Sequence, residues 1–176
     1  MKEFIVIVVI FMVLSCAREP EQGALSQPTI GALHQNAVSA EQAGRLGESE
    51  LALEQILADY PNADEIDIAR EMLIRIRKDT QDAALMIVRE VNEAQSNFMA
   101  TRRRFAITIN ELVEQLMLPE DPSRSDLNYD IYLKGSPYAD RYSIIAQPTA
   151  SVGEKRAYFS DETGLIRWAI GDVATG

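Results

Sequence analysis

Few side chains in this sequence are of a type and spacing that do chemistry. There is one cysteine, Cys16, and one histidine, His34, so an intramolecular disulfide and a multi-histidine metal centre are both excluded. His34 has no acidic cluster at ligand spacing beside it and reads as a helix-surface residue. The adjacent carboxylates Asp161 and Glu162 precede Thr163-Gly164, which is turn chemistry rather than a general acid and base. No His-Glu-x-x-His, no phosphate-cradling glycine loop and no Gly-x-Ser-x-Gly occurs. Arg102-Arg103-Arg104 is a local basic cluster. Cations at a helix C-terminus gain about 0.3–1 kcal/mol each from the dipole; the alternative role is docking an acidic partner or an anionic envelope polymer. Trp168, beside Arg167, reads as edge-strand packing, with an exposed contact pair as the alternative. The residues alone point to no catalytic group, cofactor or metal, and the chain reads as non-enzymatic.

The elements that must carry these residues belong to an ordinary globular composition. Hydrophobic residues make up 47% and charged residues 25% of 176 residues. With 27 acidic against 17 basic side chains the formal net charge is −10, which would repel a phosphate backbone, so no nucleic-acid partner is expected.

At the N-terminus, Met1-Lys2-Glu3 is followed by an apolar run from Phe4 to Leu14 and then by Ser15-Cys16-Ala17-Arg18-Glu19-Pro20. A spanning helix needs roughly 20 apolar residues, so this layout fits a secretory signal peptide instead. Val13-Leu14-Ser15-Cys16 resembles the lipobox of bacterial lipoproteins, with Leu14 standing where a small residue is usual. The resemblance implies cleavage between Ser15 and Cys16, a diacylglyceryl group on the Cys16 thiol and an acyl chain such as palmitate on its freed amine. One chain holds a protein marginally at about 0.8 kcal/mol per buried methylene, and two or more hold it firmly. Ala17 after the cysteine, rather than Asp, implies the outer membrane, facing the periplasm. From Ala17 to Thr29 the sequence is polar and proline-bearing, too poor in apolar surface to order itself. It is expected to be a tether of roughly 20 Å root-mean-square span.

From Ile30 the pattern becomes helical, with Ile30, Leu33, Ala37 and Ala40 on one face and an end near Gly44 and Gly47. A second helix carries Leu46, Leu53, Ile56, Leu57 and Tyr60 and stops before Pro61. Asn62-Ala63-Asp64-Glu65 predicts a capping box, followed by a helix with Ile66, Ala69, Leu73 and Ile76 inward. No glycine or proline lies between Pro61 and Pro119, and Ala84, Ile87, Val88, Val91, Ala94 and Phe98 continue the stripe. One rod or two helices are both compatible with that. The segment Leu51 to Ala63, ending Tyr60-Pro61-Asn62-Ala63, resembles the second helix and closing turn of a tetratricopeptide repeat. The resemblance covers one repeat, where a solenoid generally needs about three; an ordinary helical hairpin is the alternative.

Thr108-Ile109-Asn110-Glu111 predicts a second capping box, opening a short helix with Leu112, Val113 and Leu116 inward and closed by Pro119 and Pro122. Four extended runs follow: Tyr129–Leu133, Tyr142–Gln147, Arg156–Ser160 and Leu165–Ile170. Turn residues separate them, which predicts an antiparallel meander covered on one face by the long helix.

The fold class is therefore α+β. This order of elements resembles the globular domain of type IV pilins and type II secretion pseudopilins. The residues carrying the likeness are Asn92 to Phe98, Arg104 to Leu112, Tyr142 to Pro148, and Tyr158 to Arg167, with its Asp161-Glu162-Thr163-Gly164 hairpin. Some pseudopilins bind calcium in this half of the fold. Asp126, Asp130 and Asp140 are the available oxygens, but their spacing matches no calcium loop and no metal is expected. A pilin also begins Gly-Phe, carries Glu at its fifth position and runs its apolar segment straight into the long helix. Here none of this precedes residue 83, so the resemblance implies a reused fold on a lipid anchor, and fold alone does not transmit function.

The expected organisation is a signal peptide over 1–15, lipidated Cys16 and tether over 16–29, a hairpin region over 30–78 and a pilin-like domain over 79–176. The expected role is a lipid-anchored, non-catalytic binding or scaffold module of the bacterial envelope. Its partners would be the membrane, through the anchor, and an unidentified envelope protein. The alternatives are an accessory of a pilus or secretion system and a carboxylate-based cell-wall hydrolase, which needs two acids facing across a cleft.

Overall fold

Thr29 caps α1 (Ile30–Gln42): its hydroxyl accepts from the Ala32 amide. Leu33, Ala37 and Ala40 are buried, as their spacing predicts, and α1 ends at Ala43 before Gly44, whose φ of 75° suits glycine. α2 (Leu46–Asp59) runs antiparallel to it and stops before Pro61. The structure, a computed structural model, describes residues 27–122, 126–149 and 155–170. The expected signal peptide and most of the expected tether lie outside the described residues.

α3 (Ile66–Arg102) is one helix of 37 residues, about 55 Å long at 1.5 Å per residue, and it runs unbroken through residues 78 and 79. It starts later than the expected capping box. Ala63 N–H bonds to the Tyr60 carbonyl and Ile66 N–H to the Ala63 carbonyl, so two consecutive turns after Pro61 use up Asn62 to Glu65. Glu65 becomes the N-cap and makes no side-chain capping bond.

Of the expected box at Thr108, the N-cap half forms at the start of α4 (Ile109–Glu114), and the return bond goes to Ile107 N–H instead of Thr108 N–H. Thr108 Oγ1 accepts from Glu111 N–H, while the Glu111 carboxylate reaches back to Ile107 N–H at 3.0 Å. Leu112 is buried as expected, but Leu116 is 91% exposed. The reason is local: Leu116 takes a φ of 57°. Met117 N–H closes on the Leu112 carbonyl and Leu116 N–H on the Val113 carbonyl, the Schellman pattern that turns the chain off the helix face.

Four strands form one sheet in the order β1-β2-β3-β4, all antiparallel neighbours: β1 (Tyr129–Gly135), β2 (Tyr142–Pro148), β3 (Arg156–Asp161) and β4 (Arg167–Ile170). β4 starts two residues later than expected because Leu165 and Ile166 belong to the turn, where the Leu165 carbonyl accepts from Ser160 Oγ at 3.3 Å. The molecule is thus α+β, with a long helix packed on a four-stranded antiparallel meander and a helical hairpin at the helix's N-terminal end.

Two apolar cores share α3. In one, Ala69, Leu73 and Ile76 pack with Leu33, Ala37, Leu53 and Ile56 of the hairpin. In the other, Ala84, Val88, Val91, Ala94 and Phe98 pack with Leu112, Ile131, Tyr142, Ile144 and Tyr158. The second core is pinned by amides. Gln95, fully buried, donates to the Ala106 carbonyl and accepts from the Ala106 N–H, both at 2.9 Å. Asn92 donates to Ser160 Oγ at 2.8 Å and accepts from the Tyr142 hydroxyl at 3.0 Å.

Candidate functional site

Between the two cores lies a polar layer built from α2, α3 and the segments leading into β1 and β3. Glu50 occupies a helical position that its neighbours Leu46 and Leu53 would fill with an apolar side chain, and it is 0% exposed. Lys155, 2% exposed, places Nζ 2.7 Å from the Glu50 carboxylate. Arg77 donates Nε to Glu50 at 3.2 Å and Nη2 to Glu54 at 2.9 Å. Asn128 Nδ2 donates to the Gly47 carbonyl at 2.9 Å and to Glu50 Oε2 at 3.3 Å, and Gly47 N–H donates to the Asp126 carbonyl at 3.0 Å. The layer also buries Thr80, which bonds the Arg77 carbonyl, and Ser49, whose Oγ has no hydrogen-bond partner among the described residues.

The charges balance, two acids against two bases, and the Glu50 carboxylate accepts from three donors, Arg77, Asn128 and Lys155. Such a cluster adds little net stability over an apolar replacement, but removing one member leaves an unpaired buried charge, at about 3–5 kcal/mol. It therefore acts as a lock that specifies how the hairpin meets the sheet. Closed to solvent, Glu50 and Lys155 offer no approach to a substrate in this conformation. Burial pushes the neighbouring Tyr129 hydroxyl far above the ordinary phenol range, with Tyr158 and the Glu50 carboxylate adding to it. That hydroxyl stays protonated and donates to the Arg156 carbonyl at 2.8 Å.

Close approach is part of the lock. A Cβ at Gly47 would lie 2.8 Å from the Asp126 carboxylate and 2.9 Å from Asn128 Oδ1, so a larger residue there would displace the Asn128 side chain from the cluster.

The residues singled out by sequence are scattered. Cys16 and Ser15 lie outside the described residues. His34, on α1, is half-buried, with Nε2 3.3 Å from Met72 Sδ. The arginine cluster is divided among tasks. Arg102 donates to Gln115, Arg103 caps α3 in the left-handed region at φ 61°, and Arg104 pairs with Glu111 while lying 5.2 Å from the Phe98 ring centre. That pairing holds the Glu111 carboxyl below its ordinary range, chiefly through the Arg104 hydrogen bond. The pair borders a shallow hollow of about 590 Å³ that also involves Ile107, Thr108 and Tyr138.

Asp161 is absorbed by the β3–β4 turn. Its carboxylate accepts from the Thr163 N–H and hydroxyl and from Arg167, and the Thr163 hydroxyl is the main reason its carboxyl is held below its ordinary range. Trp168 is 56% exposed and stacks with Arg156 at 4.5 Å, while Arg167 turns to Asp161 and the Phe159 ring. Asp126 contributes its carbonyl to Gly47, Asp130 faces outward on β1, and Asp140 accepts from Ser136 in the β1–β2 turn. Among the described residues no group of three or more His, Cys, Asp or Glu side chains could hold a metal ion.

The polar layer itself escaped the reading of the sequence. Its one local sign is Glu50 at an apolar position of α2; Lys155, 105 residues further on, carries no sign at all. Among the described residues no helix is long and apolar enough to cross a membrane. No family model, curated protein or solved structure matches the chain.

Proposed function

We propose that the chain is a lipid-anchored protein of the bacterial envelope, held by an acylated Cys16 and working without catalysis as a stand-off binding or scaffold module. Val13-Leu14-Ser15-Cys16 after a short apolar run supports the anchor. The observation that carries the rest is the polarity of the fold. The Tyr60 hydroxyl, at the C-terminal end of α2, donates to the Pro28 carbonyl at 2.6 Å, so the chain enters beside the α2–α3 corner. The sheet sits at the other end of a helix about 55 Å long. An anchor upstream of Pro28 would hold the hairpin near the membrane and present the sheet away from it, on the periplasmic side of the outer membrane. Rigidity along that axis fits a spacer, because one helix passes through both cores and the buried Glu50 cluster fixes the joint.

A second reading is an accessory of a type IV pilus or type II secretion system. It is favoured by the long helix lying on an antiparallel meander with Asn92 and Gln95 at the interface. In both readings the partner is another envelope protein, engaged by the sheet end.

Two measurements on cells test the proposal. Labelled palmitate is expected in the native chain and absent from Cys16→Ala; label in the variant overturns the anchor. A photo-crosslinker at Tyr132, 52% exposed on the outer face of β1, is expected to capture an envelope protein that a crosslinker at Ile68 near the corner does not. Equal capture at both positions, or none, overturns the stand-off arrangement.

A further inference from the structure

Glu50 Oε2 holds two nitrogens at once, Lys155 Nζ at 2.7 Å and Asn128 Nδ2 at 3.3 Å. Those distances place the amine and the side-chain amide within about 6 Å of each other. Glu50 is 0% and Lys155 2% exposed, so a primary amine, a carboxamide and a carboxylate share one place closed to solvent. An ion-pair lock needs only the amine and the acid, and any hydrogen-bond donor would serve it at position 128. A carboxamide adds an electrophilic carbon. From this we infer a modification site: Lys155 Nζ forms an intramolecular amide bond to Asn128 Cγ, with Glu50 carrying the protons and ammonia leaving.

The step balances without a co-reactant. Lys155 passes one ammonium proton to the Glu50 carboxylate, and the freed lone pair attacks Asn128 Cγ to make the new C–N bond. Glu50 hands that proton to Nδ2, the bond from Cγ to Nδ2 breaks and NH₃ departs. Glu50 then takes the surplus proton from Nζ. Lys155 and Glu50 both end neutral, and Arg77 keeps a counter-charge because its Nη2 donates to Glu54 at 2.9 Å. Asn128 is the fixed partner. Its Nδ2 donates to the Gly47 carbonyl at 2.9 Å, and its own carbonyl accepts from Thr149 N–H at 3.0 Å. Its φ of 53° lies in the left-handed region that asparagine tolerates. Lys155 is the mobile one, with a four-carbon stem that carries Nζ to an attack distance of about 3–3.5 Å. Burial keeps away the water that would compete with the amine. The product joins the segment leading into β3 covalently to the one leading into β1.

The test is mass spectrometry of the full-length Cys16→Ser chain, free of lipid, purified folded and held at neutral pH before digestion. Its intact mass is expected to fall short of the sequence mass by one ammonia, about 17 Da. Trypsin is expected to release residues 125–134 joined to 142–156 as one branched peptide, because it does not cut after an acylated Lys155. Lys155→Arg, which keeps the charge, and Asn128→Ala, which removes the electrophile, are each expected to show the full sequence mass. Glu50→Gln is expected to slow the linkage roughly a hundredfold. The inference is overturned if the parent shows the full mass and yields 125–134 and 142–155 as separate peptides. A 17 Da loss that maps to a cyclised asparagine, with no branched peptide, overturns it equally. Linkage at the parental rate in Glu50→Gln overturns the part given to Glu50. The parent's own mass decides the matter even where a variant fails to fold.

Discussion

From Ile66 to Ile76, α3 meets two helices through Ala69, Leu73 and Ile76, all aliphatic and all opposite aliphatic partners. From Ala84 to Phe98 the same helix meets a sheet and a loop, and there it sets Asn92 and Gln95 into the interface beside its apolar stripe. The core of the hairpin half is held by non-directional burial, which tolerates changes of shape at constant volume, with the Arg75–Glu41 pair between α3 and α1 at its solvent margin. The sheet half is held partly by directional bonds whose loss strands buried backbone groups. Between them, Arg77 and Thr80 belong to neither core. The polar layer marks where one helix changes the way it is held, and Glu50 and Lys155 make the two halves one body.

The largest expected effect breaks that union. Glu50→Ala leaves Lys155 buried without its counter-charge, and Arg77 loses one of two carboxylates. Stability is expected to fall by about 3–5 kcal/mol. Urea unfolding followed separately by tryptophan fluorescence, which reports Trp168 on β4, and by helical circular dichroism should lose its coincidence. A single shared transition in the variant would show that α3 alone couples the two cores.

Next in size is a direct contrast of the halves. Gln95→Leu keeps volume and removes both bonds to Ala106 in a site with no water access, at about 1–3 kcal/mol for each stranded group. Leu73→Met, equally buried in the hairpin half, is a volume-conserving swap expected to lose less than about 1.5 kcal/mol. Equal losses in urea titrations would erase the distinction between the two kinds of packing.

The same distinction explains what could be read in advance. Leu33, Ala37, Leu53, Leu73, Val88 and Val91 repeat at helical spacing, so burial imprints itself on neighbouring residues and the helices are visible. The Thr108 cap is visible because its hydroxyl and the Glu111 amide it accepts from lie three residues apart. Strand runs were legible for the same local reason, except that β4 lost Leu165 and Ile166 to its turn. The lock is different in kind. Glu50 and Lys155, or Asn128 and Gly47, are joined only by the completed fold, and nothing near Lys155 in sequence distinguishes it from a surface lysine. Gly135 is similar: a Cβ there would fall 2.5 Å from Ile107 Cα, a constraint set by a segment that packs across the end of the sheet. Asn62 to Glu65 misled because a local cap signal competes with the turns that Pro61 starts.

A smaller effect concerns the acid limit of the sheet half. Glu111 has its carboxyl held below the ordinary range by Arg104 and by Ile107 N–H. A group depressed in the folded state contributes stability above its unfolded pKa, about 4.3, and loses it as pH falls through the folded value. Glu111→Gln is expected to flatten the decline of thermal midpoint below about pH 4 and to leave the midpoint at pH 7 only slightly lower, since the pair is partly exposed. An unchanged acid slope would assign that decline to Asp161 and other carboxylates. At the alkaline end Tyr142, pushed up to about 12 mainly by burial, contributes stability that is full below pH 10 and lost as pH rises toward 12.

The smallest expected effect has the opposite sign and isolates backbone from packing. Leu116 holds a left-handed φ of 57° with 91% of its surface exposed, so its side chain contributes almost no burial to offset the conformation. The left-handed region costs an ordinary residue about 1–2 kcal/mol. Glycine removes that cost but adds freedom to the unfolded chain worth about 0.4–1 kcal/mol. The first quantity equals or exceeds the second, and Leu116→Gly is therefore expected to stabilise the protein by up to about 1.6 kcal/mol, read as a higher urea midpoint at unchanged slope. Destabilisation instead would mean that the Leu116 side chain is packed in solution, and that the turn after α4 belongs with the tightly specified half of the molecule rather than at its edge.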